Sequence, residues 1–247
     1  LTEKHLQIYS DFLELLTLPS ACENYLKVER CLNSDIIEKA QIKGINSKQQ
    51  AQEISAELLK RHDRSELEAS GLFTKKGFLF FLPCIIFPHF EGGRAVYFTS
   101  RNFAAVKSFK LAAPQKFYIG AGCETENKIY VFEGVLDALS YAQIFGKSNY
   151  IATHGLPNKN KIAKIKSIFP QKKLIAVFDY DKAGNAAQKE TSETSLNWLG
   201  TLQKLNIKPS QINENFSDFN DLLCLLTDRQ EEFEERAAIM EFDGGLD

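Results

Sequence analysis

Three short acidic motifs stand in order along the chain: Phe132-Glu133-Gly134 with Asp137, then Asp179-Tyr180-Asp181, then Asp218-Phe219-Asn220-Asp221. The first two close apolar, strand-like runs. A sheet that gathers several carboxylates at one edge repels itself. Two full charges about 5 Å apart cost roughly 3 kcal/mol at an effective dielectric near 20. Stability does not explain such an arrangement, whereas a divalent cation that prefers oxygen ligands, such as Mg²⁺, relieves it. Sites of that kind act mostly on phosphates, so the pattern points to metal-dependent phosphoryl transfer on nucleic acid.

From 127 onward, strand and helix alternate. Strands are predicted over 128–133, 149–153 and 173–179, and helices over 135–145, 159–169 and 183–205. A last strand is predicted over 207–212. Alternation of this kind implies parallel pairing with right-handed crossovers. With strand order 2-1-3-4, strands one and three are neighbours where the order reverses, and ligands bind beyond their carboxyl ends. Glu133 then lies beside Asp179. Asp181, two residues on, turns to the same side. Gly134 and Gly184 suit tight turns and the close approach of a phosphate. Asp137 supports the site from one helical turn behind. Asp218 and Asp221 return to the same edge from a last loop.

The upstream half reads differently. Residues 1–70 have helical spacing, with Pro19 as an interruption, a short helix over 22–30, Asn33 as a cap and a further helix over 49–60. Residues 77–88 are aromatic and β-branched. Glu91-Gly92-Gly93 is a turn signal, and 94–100 returns as a second strand. A small antiparallel element is expected within 77–120.

A net charge of −2 hides an uneven distribution. Residues 92–123 hold Arg94, Arg101, Lys107, Lys110 and Lys116 and no acid, and residues 138–178 hold seven lysines and no acid. The segment 228–247 has a net charge of −6, which leaves the remainder at +4. Basic stretches beside an acidic metal site suit a partner with a phosphate backbone. Taken alone, each is an ordinary solvated face. Phe98 and Phe103 are candidates for stacking on a base, although core packing accounts for them as well. The five cysteines form no Cys-x-x-Cys pair and read as reduced thiols of a cytoplasmic protein. No apolar stretch reaches transmembrane length. Leu1 in first position reads as the start of a fragment.

The three motifs, as they stand in Tyr130–Ser140, Ile175–Gly184 and Asp218–Leu223, resemble the signatures of the TOPRIM domain. That fold is shared by bacterial-type primases, type IA and II topoisomerases, some nucleases and recombination proteins. The upstream segments Tyr25–Arg30, Leu67–Leu72, Ile85–Pro88 and Tyr97–Arg101 resemble the basic N-terminal half of the polymerase domain of bacterial-type, DnaG-like primases, most closely those of phages, plasmids and mobile elements. The likeness extends over roughly 20–225. It implies an α/β TOPRIM fold, a parallel sheet with flanking helices, preceded by a smaller mixed α+β subdomain. The corresponding domains are 1–123, 124–225 and an acidic helical tail or linker over 226–247.

The resemblance also implies a DNA primase core that makes short RNA primers on single-stranded DNA from nucleoside triphosphates. Mg²⁺, or Mn²⁺ in its place, would be held by Asp179, Asp181 and Asp218, with Asn220 and Asp221 in the same motif. Glu133 would act in acid/base catalysis with Asp137 behind it. Arg94, Arg101, Lys107, Lys110 and Lys116 would track the template. A helicase or a zinc-binding module would lie outside these residues. The chain departs from the primase pattern at Cys31, where Gly is usual, at Thr99-Ser100, and at Asn220, where a second acid is usual. A TOPRIM nuclease and a non-catalytic nucleic-acid-binding module are the rival readings, and a topoisomerase is disfavoured because no tyrosine has a recognisable strand-cleavage context.

Overall fold

A computed structural model describes residues 1–80, 82–102, 107–111, 116–156, 158–177, 179, 194–196, 198–208, 212 and 216–230. The chain divides into two compact units. One comprises Leu1–Val28 and Leu32–Ile119, the other Glu29–Cys31 and Gly120–Asp247.

In the first unit, α1 (Glu3–Leu15) starts at Thr2, whose hydroxyl accepts a bond from the His5 amide. Helices α2 (Ser20–Asn24) and α3 (Ser34–Lys39) follow, with a single π-helical turn, Tyr25–Glu29, between them. Asn33 caps α3 as expected, its side chain accepting from the Ile36 amide. Strand β1 (Lys43–Ile45) precedes α4 (Lys48–Arg61) and α5 (Arg64–Ala69). Strands β2 (Phe73–Thr74) and β3 (Gly77–Phe78) form a tight hairpin. The long strands β4 (Cys84–Glu91) and β5 (Arg94–Asn102) are joined through Gly92 and Gly93, both at positive φ, the conformation a two-residue hairpin turn requires. Strands β6 (Lys107–Lys110) and β7 (Tyr118–Ile119) complete the unit.

The antiparallel sheet has the order β1-β4-β5-β6. Ile8, Tyr9 and Phe12 of α1 are fully buried, and the Tyr9 and Phe12 rings pack edge-on against Phe98 of β5 at 5.4 and 5.0 Å. Phe98 therefore belongs to the core and is not a platform for a base. Phe103 lies outside the described residues.

Two expectations for this half need correction. The 1–70 region is not wholly helical, because β1 interrupts it and pairs with β4. Three residues are too short to show a period. What admits the strand is Gly44, where a β-carbon would come within 2.5 Å of the Cys22 sulfur. The run 77–88 is also not one strand. It breaks after Phe78 and resumes at Cys84. Pro88 is tolerated because it falls beyond the residues that pair with β1, which end at Ile86, so its missing N–H costs no bond on that side.

The second unit follows the predicted alternation closely: β8 (Lys128–Phe132), α6 (Val135–Phe145), β9 (Tyr150–Ala152), α7 (Lys159–Ile168) and β10 (Lys173–Ala176). Gly146 ends α6 in the left-handed conformation, and Asn158 caps α7. The strands are parallel and run β11-β10-β8-β9, where β11 is Thr194–Ser195. This is the expected 2-1-3-4 order. The fourth strand, however, was placed in the wrong segment. The predicted helix 183–205 is split, since Thr194–Ser195 pairs with the edge of β10 and only Trp198–Lys204 is helical among its described residues. Residues 207, 208 and 212 are not in a strand. Pairing with a sheet edge overrides a weak local helix preference over two residues. A last helix covers 219–230. Among the described residues, no helix is long and apolar enough to cross a membrane.

Candidate functional site

Strand β8 lies between β10 and β9, so the chain order reverses at the β8–β10 pair. The register there sets Ala176 against Val131, and the Val177 amide adds a further bond to the Val131 carbonyl. Glu133 stands two residues beyond Val131 in the chain, and Asp179 three residues beyond Ala176. Glu133 and Asp179 are both half-buried; Glu133 follows directly on β8, and Asp179 comes three residues after the end of the neighbouring parallel strand β10. Asp181 and Gly184 lie outside the described residues.

The loop after β9 secures the backbone of Glu133. The Glu133 carbonyl accepts the Gly155 amide at 3.0 Å, and the Phe132 carbonyl accepts the Thr153 amide at 3.0 Å. The buried Thr153 hydroxyl donates to the Gly155 carbonyl at 2.7 Å, and the Lys161 ammonium donates to the same oxygen at 2.8 Å. His154 and Gly155 both have positive φ, at 54° and 104°. The two residues form a tight loop after β9, at a φ that glycine adopts freely and that costs His154 some strain. Thr153 and Lys161 were not singled out from the sequence, because side chain to backbone bonds across a parallel sheet leave no local pattern.

Gly134 is the N-cap of α6, with an extended φ of −112°. Glycine is not required there for its backbone freedom. A β-carbon at Gly134 would stand 2.6 Å from the Asp137 carboxylate. The space is taken by Asp137, which folds back over the first turn of its helix, where a negative charge is favoured.

The third motif is built as a reciprocal cap. The Asp218 carboxylate accepts the Asp221 amide at 2.9 Å. The Asp221 carboxylate accepts the Ser217 amide at 2.7 Å, the Ser217 hydroxyl at 3.0 Å and the Asp218 amide at 3.3 Å. This is capping-box geometry, and it starts the helix at 219. Burial raises the Asp218 pKa above the ordinary carboxylate value, and the neighbouring Asp221 charge adds to this. The amides of Asp221 and Asn220 and the Arg30 guanidinium pull it back down. Asn220 is buried at 2% exposure. Its amide nitrogen donates to the Arg30 carbonyl at 2.8 Å and to the Ser140 hydroxyl at 3.0 Å, while its oxygen accepts from the Arg30 guanidinium at 3.2 Å. Asn220 and Asp221 are thus engaged in holding the helix, and the roles of Ser140 and Arg30 in that link are visible only in three dimensions. Among the described residues, no three His, Cys, Asp or Glu side chains converge as a metal site.

Five basic residues were candidates for backbone contacts. Arg94 makes a two-pronged ion pair with Glu3 at 2.7 and 3.2 Å, and Lys116 pairs with Glu91 at 3.0 Å. The Arg101 guanidinium donates to the Tyr25 hydroxyl at 3.0 Å. Lys107 and Lys110 lie on β6, the edge strand of the first sheet. Exposed ion pairs are worth only about 0–1 kcal/mol, so they do not prevent a cation from turning to a phosphate.

The profile of the Toprim-like family matches residues 130–223. No curated protein sequence matches the chain. The likeness in three dimensions is broader. The RNA polymerase domain of Mycobacterium tuberculosis primase DnaG, solved with a double-stranded DNA oligomer bearing a 6-nucleotide overhang, superposes with a TM-score of 0.64 at 19% identity, over 98% of this chain and 85% of that one. A DnaG primase catalytic domain bound to single-stranded DNA gives 0.59 at 19%, over 76% and 66%. A DNA primase domain from Pseudomonas aeruginosa gives 0.57 at 24%, over 74% and 64%. The fold is that of DnaG-type primase catalytic cores. The chain spans just under two thirds of the length of the last two structures.

Proposed function

We propose that the chain is a primase catalytic core that joins ribonucleotides on a single-stranded DNA template. The observation that carries this reading is the parallel β8–β10 pair, which ends in Glu133 on one strand and leads into Asp179 on the next, within a fold shared with primase cores along its length. A TOPRIM nuclease would need only the second unit. The presence of the first unit, with its basic edge strand β6, favours synthesis on a template. A mobile-element or phage origin is part of the proposal, resting on the sequence resemblance of the upstream segments.

Asp179, Asp181 and Asp218 would hold Mg²⁺. The donors fit a hard cation, being carboxylate oxygens only. Asp218 fits further, because burial beside a second carboxylate makes its ionised form costly and a cation would offset that cost. Bound Mg²⁺ would supply charge stabilisation to the phosphates during transfer. Glu133, with its backbone fixed by Gly155, would take or position the proton of the attacking hydroxyl. Asp137 would orient the start of α6. In this reading Asn220 and Asp221 hold the third motif in place and do not bind metal. Arg101, Lys107 and Lys110, with Arg94 and Lys116, would contact template phosphates. A helicase or zinc-binding partner belongs to the same proposal.

The test is incorporation of labelled ribonucleotides on single-stranded templates by the whole chain, with and without an added primase zinc module. The expected result is Mg²⁺-dependent primers that disappear in Asp179→Asn. Mg²⁺-dependent cutting of nucleic acid without incorporation would instead establish a nuclease.

A further inference from the structure

The five cysteines are free thiols and fall into two classes. Cys22, Cys84 and Cys123 are buried, and burial pushes their thiols up to about 11, 12 and 12. Such groups react slowly with oxidants. Cys31 and Cys224 are half-buried, and they meet.

Their meeting is built into the second unit. Glu29–Cys31 clusters with that unit although both flanking segments cluster with the other. Arg30 and Asn220 bond in both directions, side chain to side chain and side chain to backbone. The Gln143 amide donates to the Cys31 carbonyl at 2.9 Å. The Cys224 sulfur lies 3.8 Å from the Glu29 carbonyl oxygen and shares a hydrogen bond with the Cys31 thiol. Cys31 itself has a φ of 54°, in the left-handed region that favours glycine. A cysteine is thus held in the left-handed conformation, opposite a second thiol, on a segment that Arg30, Asn220 and Gln143 anchor to the second unit.

We propose that Cys31 and Cys224 form a reversible dithiol–disulfide pair, oxidised by small disulfides of the glutathione class. Cys31 loses its proton and its sulfur attacks one sulfur of the small disulfide. That S–S bond breaks, and the first small thiolate leaves and takes up a proton. Cys224 then loses its proton and attacks the Cys31 sulfur, displacing the second small thiolate, which is also protonated. The two cysteines give up two electrons, and one small disulfide becomes two thiols. Burial and the adjacent Cys31 thiol hold Cys224 above the usual thiol range, which slows an attack begun by its own sulfur. The new bond would tie Glu29–Cys31 covalently to the helix that begins beside Asp218. This inference goes beyond the primase reading and stands whether or not that reading holds.

The test uses the whole folded chain with glutathione disulfide, followed by denaturation in the presence of an alkylating agent and peptide mapping by mass spectrometry. The expected product is one intrachain link between the Cys31 and Cys224 peptides, lighter by about 2 Da and fully reversed by dithiothreitol, with Cys22, Cys84 and Cys123 alkylated. In Cys224→Ser, glutathione should remain on Cys31. Five alkylated cysteines in the wild type, a link that uses any other pair, or glutathione left unresolved on Cys31 of the wild type would each overturn the proposal. The wild-type map decides the matter even if a serine variant fails to fold.

Discussion

Phe132 and Phe219 pack edge to face, with ring centroids 5.5 Å apart, and each stands next to a candidate acid, Glu133 in one case and Asp218 in the other. Phe219 also meets Tyr141 and Phe145 of α6 at 5.8 and 6.2 Å. An aromatic cluster with no charge in it thus docks the third motif on the strand that carries the first. Both rings are almost fully buried. Phe219→Ala should therefore cost about 3 kcal/mol or more, and Phe219→Leu clearly less, because leucine refills most of the volume. Urea unfolding of both variants measures the difference. Equal losses would mean that the ring contact is incidental.

Asp218 has a raised pKa in the fold, so its contribution to stability is present below the unfolded value near 3.9 and is lost as pH rises through the folded value. Above that, the buried charge weighs against the native state. Asp218→Asn keeps a good N-cap and removes the charge. In chelator at neutral pH it should melt at or above the wild-type temperature, with the gain vanishing near pH 3. Added Mg²⁺ should raise the wild type but not the variant. Asp221→Ala should instead lose about 1 kcal/mol of helix capping at neutral pH, with or without metal. A variant Asp218→Asn less stable than wild type in chelator would sink this account.

The left-handed Cys31 gives a simple stability prediction. Cys31→Gly should raise stability by up to about 1 kcal/mol, because glycine adopts φ near +54° without a β-carbon clash. A thermal melt under reducing conditions reads this directly. A fall in melting temperature would show that the thiol's packing outweighs the relieved strain.

What could be read from the sequence follows from the range of the interactions involved. The β8 to β10 region was legible because each strand is an apolar run and strands alternate with helical stretches, which implies parallel pairing. The strand order 2-1-3-4 was assumed rather than read from the residues, and it matches the fold. Strand β11 was not legible, because two residues carry no period and only the edge of β10 makes them a strand. The Asp-Phe-Asn-Asp motif was legible as an acidic cluster but not in the contacts its members make. From the sequence Asn220 and Asp221 look like metal ligands, whereas in the fold the Asn220 amide bonds to Arg30 and Ser140, and one Asp221 carboxylate oxygen bonds to Ser217 and the Asp218 amide. Arg30 and Ser140 come from elements far from the motif in the chain, and Ser217 is a serine with no distinguishing mark. Arg94 and Lys116 likewise looked unopposed until the fold brought Glu3 and Glu91 to them.

The basic residues make a graded prediction for single-stranded DNA. If Arg101 and Lys110 each neutralise one phosphate, alanine at either should flatten the slope of log affinity against log salt by about 0.7 to 1 unit. Arg94→Ala should change it less, because Glu3 already competes for its guanidinium. Fluorescence anisotropy over a salt series separates these cases. A slope unchanged from the wild type in all three variants would mark them as ordinary surface charges.

Glu133 offers the sharpest separation of chemistry from binding. Its backbone is secured by the Gly155 amide, so exchanging its carboxylate for a carboxamide should leave the loop and strand as they are. The carboxamide cannot accept a proton at neutral pH and adds no charge. If the residue acts on the attacking hydroxyl, Glu133→Gln should lower primer synthesis by about 10² to 10⁴ while leaving template affinity and its salt slope unchanged. Gln cannot serve as a base, so raising the pH should not rescue the variant. If Glu133 only shapes the site, the loss should be small and template affinity should move with it. Single-turnover incorporation measured alongside anisotropy distinguishes the two outcomes. A variant that retained wild-type synthesis would remove Glu133 from the reaction.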